Sequence, residues 1–120
     1  MEIRSLSKDV LLVTIRKGQH SCDELTSVNQ IIAEQGNYDV IVDLSGIEIV
    51  TSLIIGRLLE LRAMLHKREH RLVLCNVHFL SKCVFRVVGL RSVFEFADDK
   101  SAALATLEHT CRQVCQQKGC

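Results

Sequence analysis

The 120-residue sequence contains no proline, no internal repeat and no low-complexity segment. Linkers between domains are commonly rich in proline or of low complexity, so nothing in the sequence marks a domain boundary. With 48% hydrophobic residues, a chain of this length can bury a core without disulfides or metals. We therefore expect one domain over residues 1–120, with residues from about 110 to 120 as a candidate loose tail.

An excess of one charge and a long apolar run are also missing. The 15 basic residues are scattered and nearly balanced by 14 acidic ones, so there is no basic stripe of the kind that binds nucleic acid. No apolar run approaches the roughly 20 residues that a membrane span needs, and the N-terminus has no leader pattern. The sequence predicts no nucleic-acid partner, no membrane span and a cytoplasmic protein.

Recognisable catalytic motifs are absent. The glycines are isolated, so no loop can cradle a phosphate, and no nucleophile is paired with a base. His66 and His70 stand four residues apart but lack the glutamate and third ligand of a zinc hydrolase, which favours a solvated helix end. We expect a protein that is not an enzyme and has neither metal nor cofactor.

Six cysteines raise the question of a disulfide framework or a metal site. Cys75 and Cys83 lie within apolar patterns, where a free cysteine behaves as a small hydrophobic residue. Cys111, Cys115 and Cys120 lack the C-x-x-C spacing of a zinc site, which argues against metal binding there. A redox role for these three residues stays open.

The hydrophobic periodicity predicts strands that alternate with helices. Short β-branched runs indicate strands, and apolar residues three or four positions apart indicate helices. The strands are expected at residues 2–6, 10–15, 40–44, 71–75 and 93–96, and the helices at 23–35, 52–65, 79–88 and from 98 onward. The order ββαβαβαβα predicts an α/β fold with helices packed on a mixed central sheet, whose first two strands form a hairpin.

One stretch, Asp39–Leu65, combines a buried strand with a helix that starts at or just after Ser52. Asp43 ends that strand, at the position where open α/β sheets place their sites. Thr51 and Ser52 suit a helix start, because their hydroxyls can accept a hydrogen bond from an unpaired N–H group. The same helix end would also tolerate a phosphate, so one hydroxyl is either a cap or a phosphorylation site.

The same order of elements, the serine-bearing helix start and the Arg71-Leu72-Val73-Leu74 strand resemble the STAS domain, the fold of bacterial anti-sigma-factor antagonists. The resemblance covers about residues 10–107. It aligns residues 51–56, which read TSLIIG, with the family motif D-S-S-G-L-G and thus Ser52 with the phosphoacceptor. Thr51 replaces the aspartate, and the family's G-E-L-D loop corresponds to Gly18, Gln19, His20 and Ser21.

The resemblance implies a regulatory protein that binds a serine kinase or an anti-sigma factor and is released by phosphorylation of Ser52. Two alternatives stay open: a constitutive scaffold without the switch, and a small-molecule or nucleotide sensor with a pocket near Asp43. The expected contact residues, besides Ser52, are Thr51, Ile54, Ile55, Asp43 and the loop Gly18, Gln19, His20 and Ser21.

Overall fold

The computed structural model describes residues 2–7, 9–15, 21–35 and 38–107. Its strands and helices follow the predicted order. They are β1 (Glu2–Ser7), β2 (Val10–Thr14), α1 (Ser21–Gln35), β3 (Asp39–Asp43), α2 (Ser52–Lys67), β4 (Leu72–Cys75), α3 (Phe79–Val87), β5 (Glu95–Ala97) and a last helix, α4, at residues 100–107.

The strands form one five-stranded sheet in the order β1-β2-β3-β4-β5. β1 and β2 pair antiparallel as a hairpin, and every following neighbour pairs parallel. The predicted mixed α/β fold is therefore confirmed. β3 lies at the centre, which explains why its sequence is apolar without alternation: both of its faces are covered.

Each face of the sheet packs against its own set of helices. Val40 and Val42 of β3 share a core with α1, α2 and α3, whereas Ile41 shares the opposite core with Ala103 and Leu107 of α4. Parallel strands that are added in one direction through right-handed crossovers place their connecting helices on a single face. This leaves the second face to α4.

The starts of α1 and β5 differ from the predicted ones. α1 begins at Ser21 rather than at Asp23, so Ser21 belongs to the helix and not to the preceding loop. β5 begins at Glu95, and Phe94 lies in the turn before it. Phe94 is buried because its ring packs edge-on against Phe85, with the centroids 5.6 Å apart. Its apolar character therefore reflects core packing in a turn rather than a strand.

The end of α2 separates His66 from His70. His66 is exposed in the last turn, but His70 lies beyond Lys67, where its Nδ1 is 3.2 Å from Asp39 Oδ1. The prediction of two solvated helix residues is thus wrong for His70. Asp39 is the first residue of β3, as predicted, and its Oδ1 also accepts a hydrogen bond from the Arg71 N–H at 2.8 Å.

Across the described ranges, no cluster of three or more histidine, cysteine or acidic side chains has the arrangement of a metal site. The three tail cysteines, Cys111, Cys115 and Cys120, lie outside those ranges. None of the helices in the described part of the chain is both long and apolar enough to cross a membrane.

Candidate functional site

The carboxyl ends of the parallel strands and the starts of α2 and α3 meet at one edge of the sheet. The loop of residues 44–51 leaves β3 at this edge and delivers the chain to α2. Its first residue donates a hydrogen bond from Leu44 N to the Cys75 carbonyl at 3.0 Å. The side chains of Ile47 and Val50 are buried in the core, and this packing anchors the loop to the body of the domain.

Asp43 organises the loops at this edge. Its Oδ1 accepts a hydrogen bond from Ser45 N at 2.9 Å, and its Oδ2 accepts one from Asn76 Nδ2 at 3.1 Å. The side chain is almost fully buried. Asp43 therefore holds two loops together, and its assignment to the contact surface stays a prediction.

The two hydroxyls at the start of α2 differ in what they do. Thr51 is the N-cap, and its Oγ1 accepts a hydrogen bond from Ile54 N at 3.3 Å. Ser52 is the first residue of the helix and is exposed. Its hydroxyl forms no hydrogen bond with any other residue that the structure describes. The cap and the candidate phosphoacceptor are therefore separate residues.

Ile54 and Ile55, which we expected at the contact surface, belong to the core. Only 6% and 8% of their surfaces are exposed, because they lie on the face of α2 that packs against the sheet. The exposed apolar residues here are Leu53 (65%) and Ile49 (52%) instead. Leu53 occupies the motif position of the second serine, so the departure from the family pattern itself creates exposed apolar surface.

The first turn of α3 is tied to the loop before α2. The buried Ser81 Oγ accepts a hydrogen bond from Val50 N at 3.0 Å and donates one to the Glu48 carbonyl at 3.2 Å. His78 Nε2 lies 2.7 Å from the Ser45 carbonyl oxygen. These contacts place the exposed residues Phe79 and Leu80 beside the loop.

Sequence reasoning missed Phe79 and Leu80. Both were assigned to a helix that packs on the sheet, and large apolar residues are normally expected on the packed side. The buried side of α3 instead contains Ser81 and Phe85, which are four residues apart. A serine in the core gives no hydrophobic signal, so the sequence could not show that its two neighbours point outward.

We name this surface the Ser52 face and define it by the exposed residues Ile49, Thr51, Ser52, Leu53, Phe79 and Leu80. Among the described residues, four of the seven large hydrophobic residues that are exposed lie on it. Exposed apolar patches of this kind mark interaction sites. The first turn of α2 contains no acidic residue, so the partial positive charge of the helix end is not neutralised there.

Cys75 lies behind this edge at the end of β4 and is fully buried. Burial, together with the negative charges of Asp43 and Asp99, raises the pKa of its thiol to about 12, against a smaller opposing effect of Lys100. A thiol with such a pKa is protonated at neutral pH and is a poor nucleophile. Cys75 thus acts as a core residue, as the sequence indicated.

The predicted contact loop cannot be placed. Gly18, Gln19 and His20 lie outside the described residues, and of Ser21 only the backbone position at the start of α1 is described. Their assignment to the contact surface stays a prediction.

Comparison with solved structures shows the same fold in bacterial regulators. RsbS of Moorella thermoacetica, as a serine-to-glutamate variant, is 18% identical, with a TM-score of 0.78 over 92% of this chain and 97% of that one. The anti-sigma factor antagonist SpoIIAA in its unphosphorylated form is 16% identical, with a TM-score of 0.74 over 90% of this chain and 96% of that one. The phosphorylated form of Bacillus SpoIIAA is 17% identical, with a TM-score of 0.64 over 85% and 95% of the two chains.

Comparison with curated proteins gives no match. The sequence model of the STAS domain, however, matches residues 22–103, which is more than half of the chain and runs from α1 into α4. On the strength of that match, and in agreement with the fold, the chain belongs to the STAS domain family.

Proposed function

We propose that this protein is a non-catalytic cytoplasmic regulator that binds a protein partner through the Ser52 face, and that phosphorylation of Ser52 weakens the binding. The observation that carries the proposal is the position of an exposed serine, without a hydrogen-bond partner among the described residues, at a helix start between exposed apolar side chains. The chemistry suits a protein interface, where apolar anchors bind and a single charge controls affinity.

The apolar residues of the face suit a partner rather than a small ligand. Leu53 and Phe79 are 65% and 75% exposed, which is unfavourable in water unless another surface covers them. They come from two helices that Ser81 and His78 tie to the same loop. A partner that covers both helices would bury Ser52 at the centre of the contact.

Phosphorylation of Ser52 would change the interface without unfolding the helix. A phosphate adds about −1.5 to −2 charges at neutral pH, and the N–H groups and dipole of a helix N-terminus accept negative charge. Thr51 supplies the cap, so modification of Ser52 leaves the capping hydrogen bond in place. The new charge would instead have to be desolvated by the partner, which disfavours docking.

The relatives support this class of partner. One similar structure is an anti-sigma factor antagonist, and the same protein is also known in a phosphorylated form. By analogy, we propose an anti-sigma factor or a serine kinase of that type as the partner. The departures from the family motif, above all Thr51 in place of an aspartate, favour the second candidate, a constitutive scaffold without the switch.

Affinity capture can separate these two functions. The tagged wild-type chain and the variants Ser52→Ala and Ser52→Asp are used to capture proteins from cells that make this protein, with quantification by mass spectrometry. Ser101→Asp is the matched control, since Ser101 is also exposed in the first turn of a helix but lies on α4.

We expect one captured protein that Ser52→Ala and Ser101→Asp retain and that Ser52→Asp reduces by about tenfold or more, since each 1.4 kcal/mol corresponds to a factor of ten. Equal capture of that protein by all four chains would refute the switch and support the scaffold.

The sensor alternative has less support. Both oxygens of Asp43 accept hydrogen bonds within the protein, and the residue is buried, so it presents little surface to a ligand.

A further inference from the structure

A cavity of about 230 Å³ opens between α3 and the edge strand β5, on the face of the sheet that α3 covers. It is lined by Lys82 and Arg86 of α3, by Arg91 of the following turn, and by two aromatic rings, Phe85 and Phe96. Lys82 and Arg86 are one helical turn apart and thus lie side by side on α3. Among the described residues, no acidic side chain lines the cavity.

The basic groups of this cavity have no partner within the described part of the chain. Neither the guanidinium groups of Arg86 and Arg91 nor the ammonium group of Lys82 forms a hydrogen bond or an ion pair there. Glu95, next to Phe96 in β5, is paired with Arg71 instead. All the other described arginines do have partners, namely Arg4, Arg57, Arg62, Arg68 and Arg71.

The floor of the cavity is apolar and fixed. Phe85 is 1% exposed, and its ring meets that of Phe96 edge-on, with centroids 5.3 Å apart and planes at 66°. Phe94 packs against the same Phe85 ring from elsewhere in the core. The rings are therefore held in place, and the cavity combines a preformed aromatic floor with a cationic rim.

Size and charge together restrict the ligand. Drug-sized ligands occupy pockets of about 300–1,000 Å³, so this smaller cavity suits a body the size of a single ring. Three unpaired cations favour a dianion over a monoanion, and a phosphate monoester has about −1.5 to −2 charges at neutral pH. Arginine in addition matches the oxygens of a phosphate with two parallel hydrogen bonds.

We propose that this cavity is a binding site for a small phosphate monoester on an apolar body the size of one ring. The apolar body lies on Phe96, whose ring is held in place by the buried Phe85, and the phosphate binds Arg86, Arg91 and Lys82. The site is formed by α3, by the turn that contains Arg91 and by β5, and it is independent of the Ser52 face.

Nuclear magnetic resonance titration with phenyl phosphate tests the proposal. We expect saturable shifts that centre on the backbone amides of Phe85, Arg86 and Phe96. Inorganic phosphate lacks the apolar body and phenol lacks the charge, so each should bind at least about tenfold more weakly. Shifts that do not saturate, that centre on Ser52, or that are equally strong with inorganic phosphate would overturn the proposal.

Charge-removing variants localise the binding. Arg86→Gln and Arg91→Gln should each weaken phenyl phosphate binding about tenfold, because each loses a charge-assisted hydrogen bond. Lys100→Gln removes an exposed cation from α4, on the opposite face of the sheet, and should leave the affinity unchanged. Both arginines are exposed, and an unchanged spectrum outside the cavity verifies the fold of each variant. Equal losses in all three variants would refute the site.

Discussion

At the scale of single residues, the start of α2 assigns different tasks to two adjacent hydroxyls. Thr51 Oγ1 satisfies the N–H of Ile54, and Ser52 keeps its hydroxyl exposed in the first turn. If one residue had both roles, phosphorylation would turn the capping hydroxyl into a phosphate ester and so alter the cap. Because the roles are separate, a phosphate on Ser52 would change the surface while Thr51 continues to cap the helix.

This division predicts unequal effects on stability. Thr51→Ala should lower the free energy of unfolding by about 0.5–2 kcal/mol, because the Ile54 N–H loses its acceptor. Ser52→Ala should change it by less than about 0.5 kcal/mol, as expected for an exposed position. Urea denaturation measures both, and Thr51→Ser, which keeps the oxygen, is the control. A larger loss for Ser52→Ala than for Thr51→Ala would contradict the assignment of the cap.

The pKa of Cys75 predicts how this thiol behaves with pH. The pKa of the folded-state thiol, about 12, is raised above the ordinary value of 9.0 for a cysteine. The contribution of the protonated Cys75 thiol to the free energy of unfolding is therefore complete below pH 9.0 and is lost as the pH rises toward 12.

At about pH 8 we expect iodoacetamide to leave Cys75 unmodified in the folded protein and to modify it in urea. Peptide mapping provides the measurement, with the partly exposed Cys83 as the internal comparison. Equal rates of Cys75 modification with and without urea would show that its environment is wrongly described.

At the scale of single elements, α2 keeps a glycine that its packing does not require. The sequence resemblance aligns Gly56 with the last glycine of the family motif, yet a Cβ at this position would meet no described atom within 4 Å beyond the adjacent residues and the backbone of its own helix. Glycine also costs helix stability, since its backbone loses the most freedom on folding. The reason for this glycine does not lie in the packing of the described residues.

Gly56→Ala should therefore raise the free energy of unfolding by about 0.5–1 kcal/mol, as measured by urea denaturation. Gly89→Ala is the opposite control. Gly89 ends α3 with a φ of +79°, a conformation that favours glycine, so alanine should destabilise the protein by about 1 kcal/mol. Destabilisation by Gly56→Ala would mean that a contact at this position has been missed.

α3 shows why the site was harder to predict than the fold. Its apolar residues are not all on one side, because Ser81 occupies a buried position and makes its two hydrogen bonds there. Periodicity located the helix to within one residue of its end, at Val87 rather than 88. Periodicity could not show that Phe79 and Leu80 are exposed. Their exposure follows from the burial of Ser81, whose hydroxyl finds hydrogen-bond partners in the loop before α2.

At the scale of the whole molecule, the order of elements was predictable because the sheet is sequential. Each parallel strand pairs with the next one in the chain, so local patterns in the order of the sequence are enough to build it. The cationic cavity was not predictable in this way. In the sequence, Arg86 and Arg91 are two of many scattered basic residues, and only the packing of α3 against β5 brings them to the same cavity as Phe96.

Photocrosslinking in cells tests most directly whether the Ser52 face binds a partner protein. A photoreactive phenylalanine analogue is placed at position 79, and in a control chain at position 87. Phe79 and Val87 are 75% and 83% exposed at opposite ends of α3, about 12 Å apart along its axis. We predict that position 79 crosslinks to one partner protein, that Ser52→Asp abolishes this crosslink, and that position 87 does not form it. A partner that crosslinks from position 87 alone would show that the Ser52 face is not the contact surface. A crosslink from position 79 that Ser52→Asp leaves unchanged would show that charge at Ser52 does not control the contact.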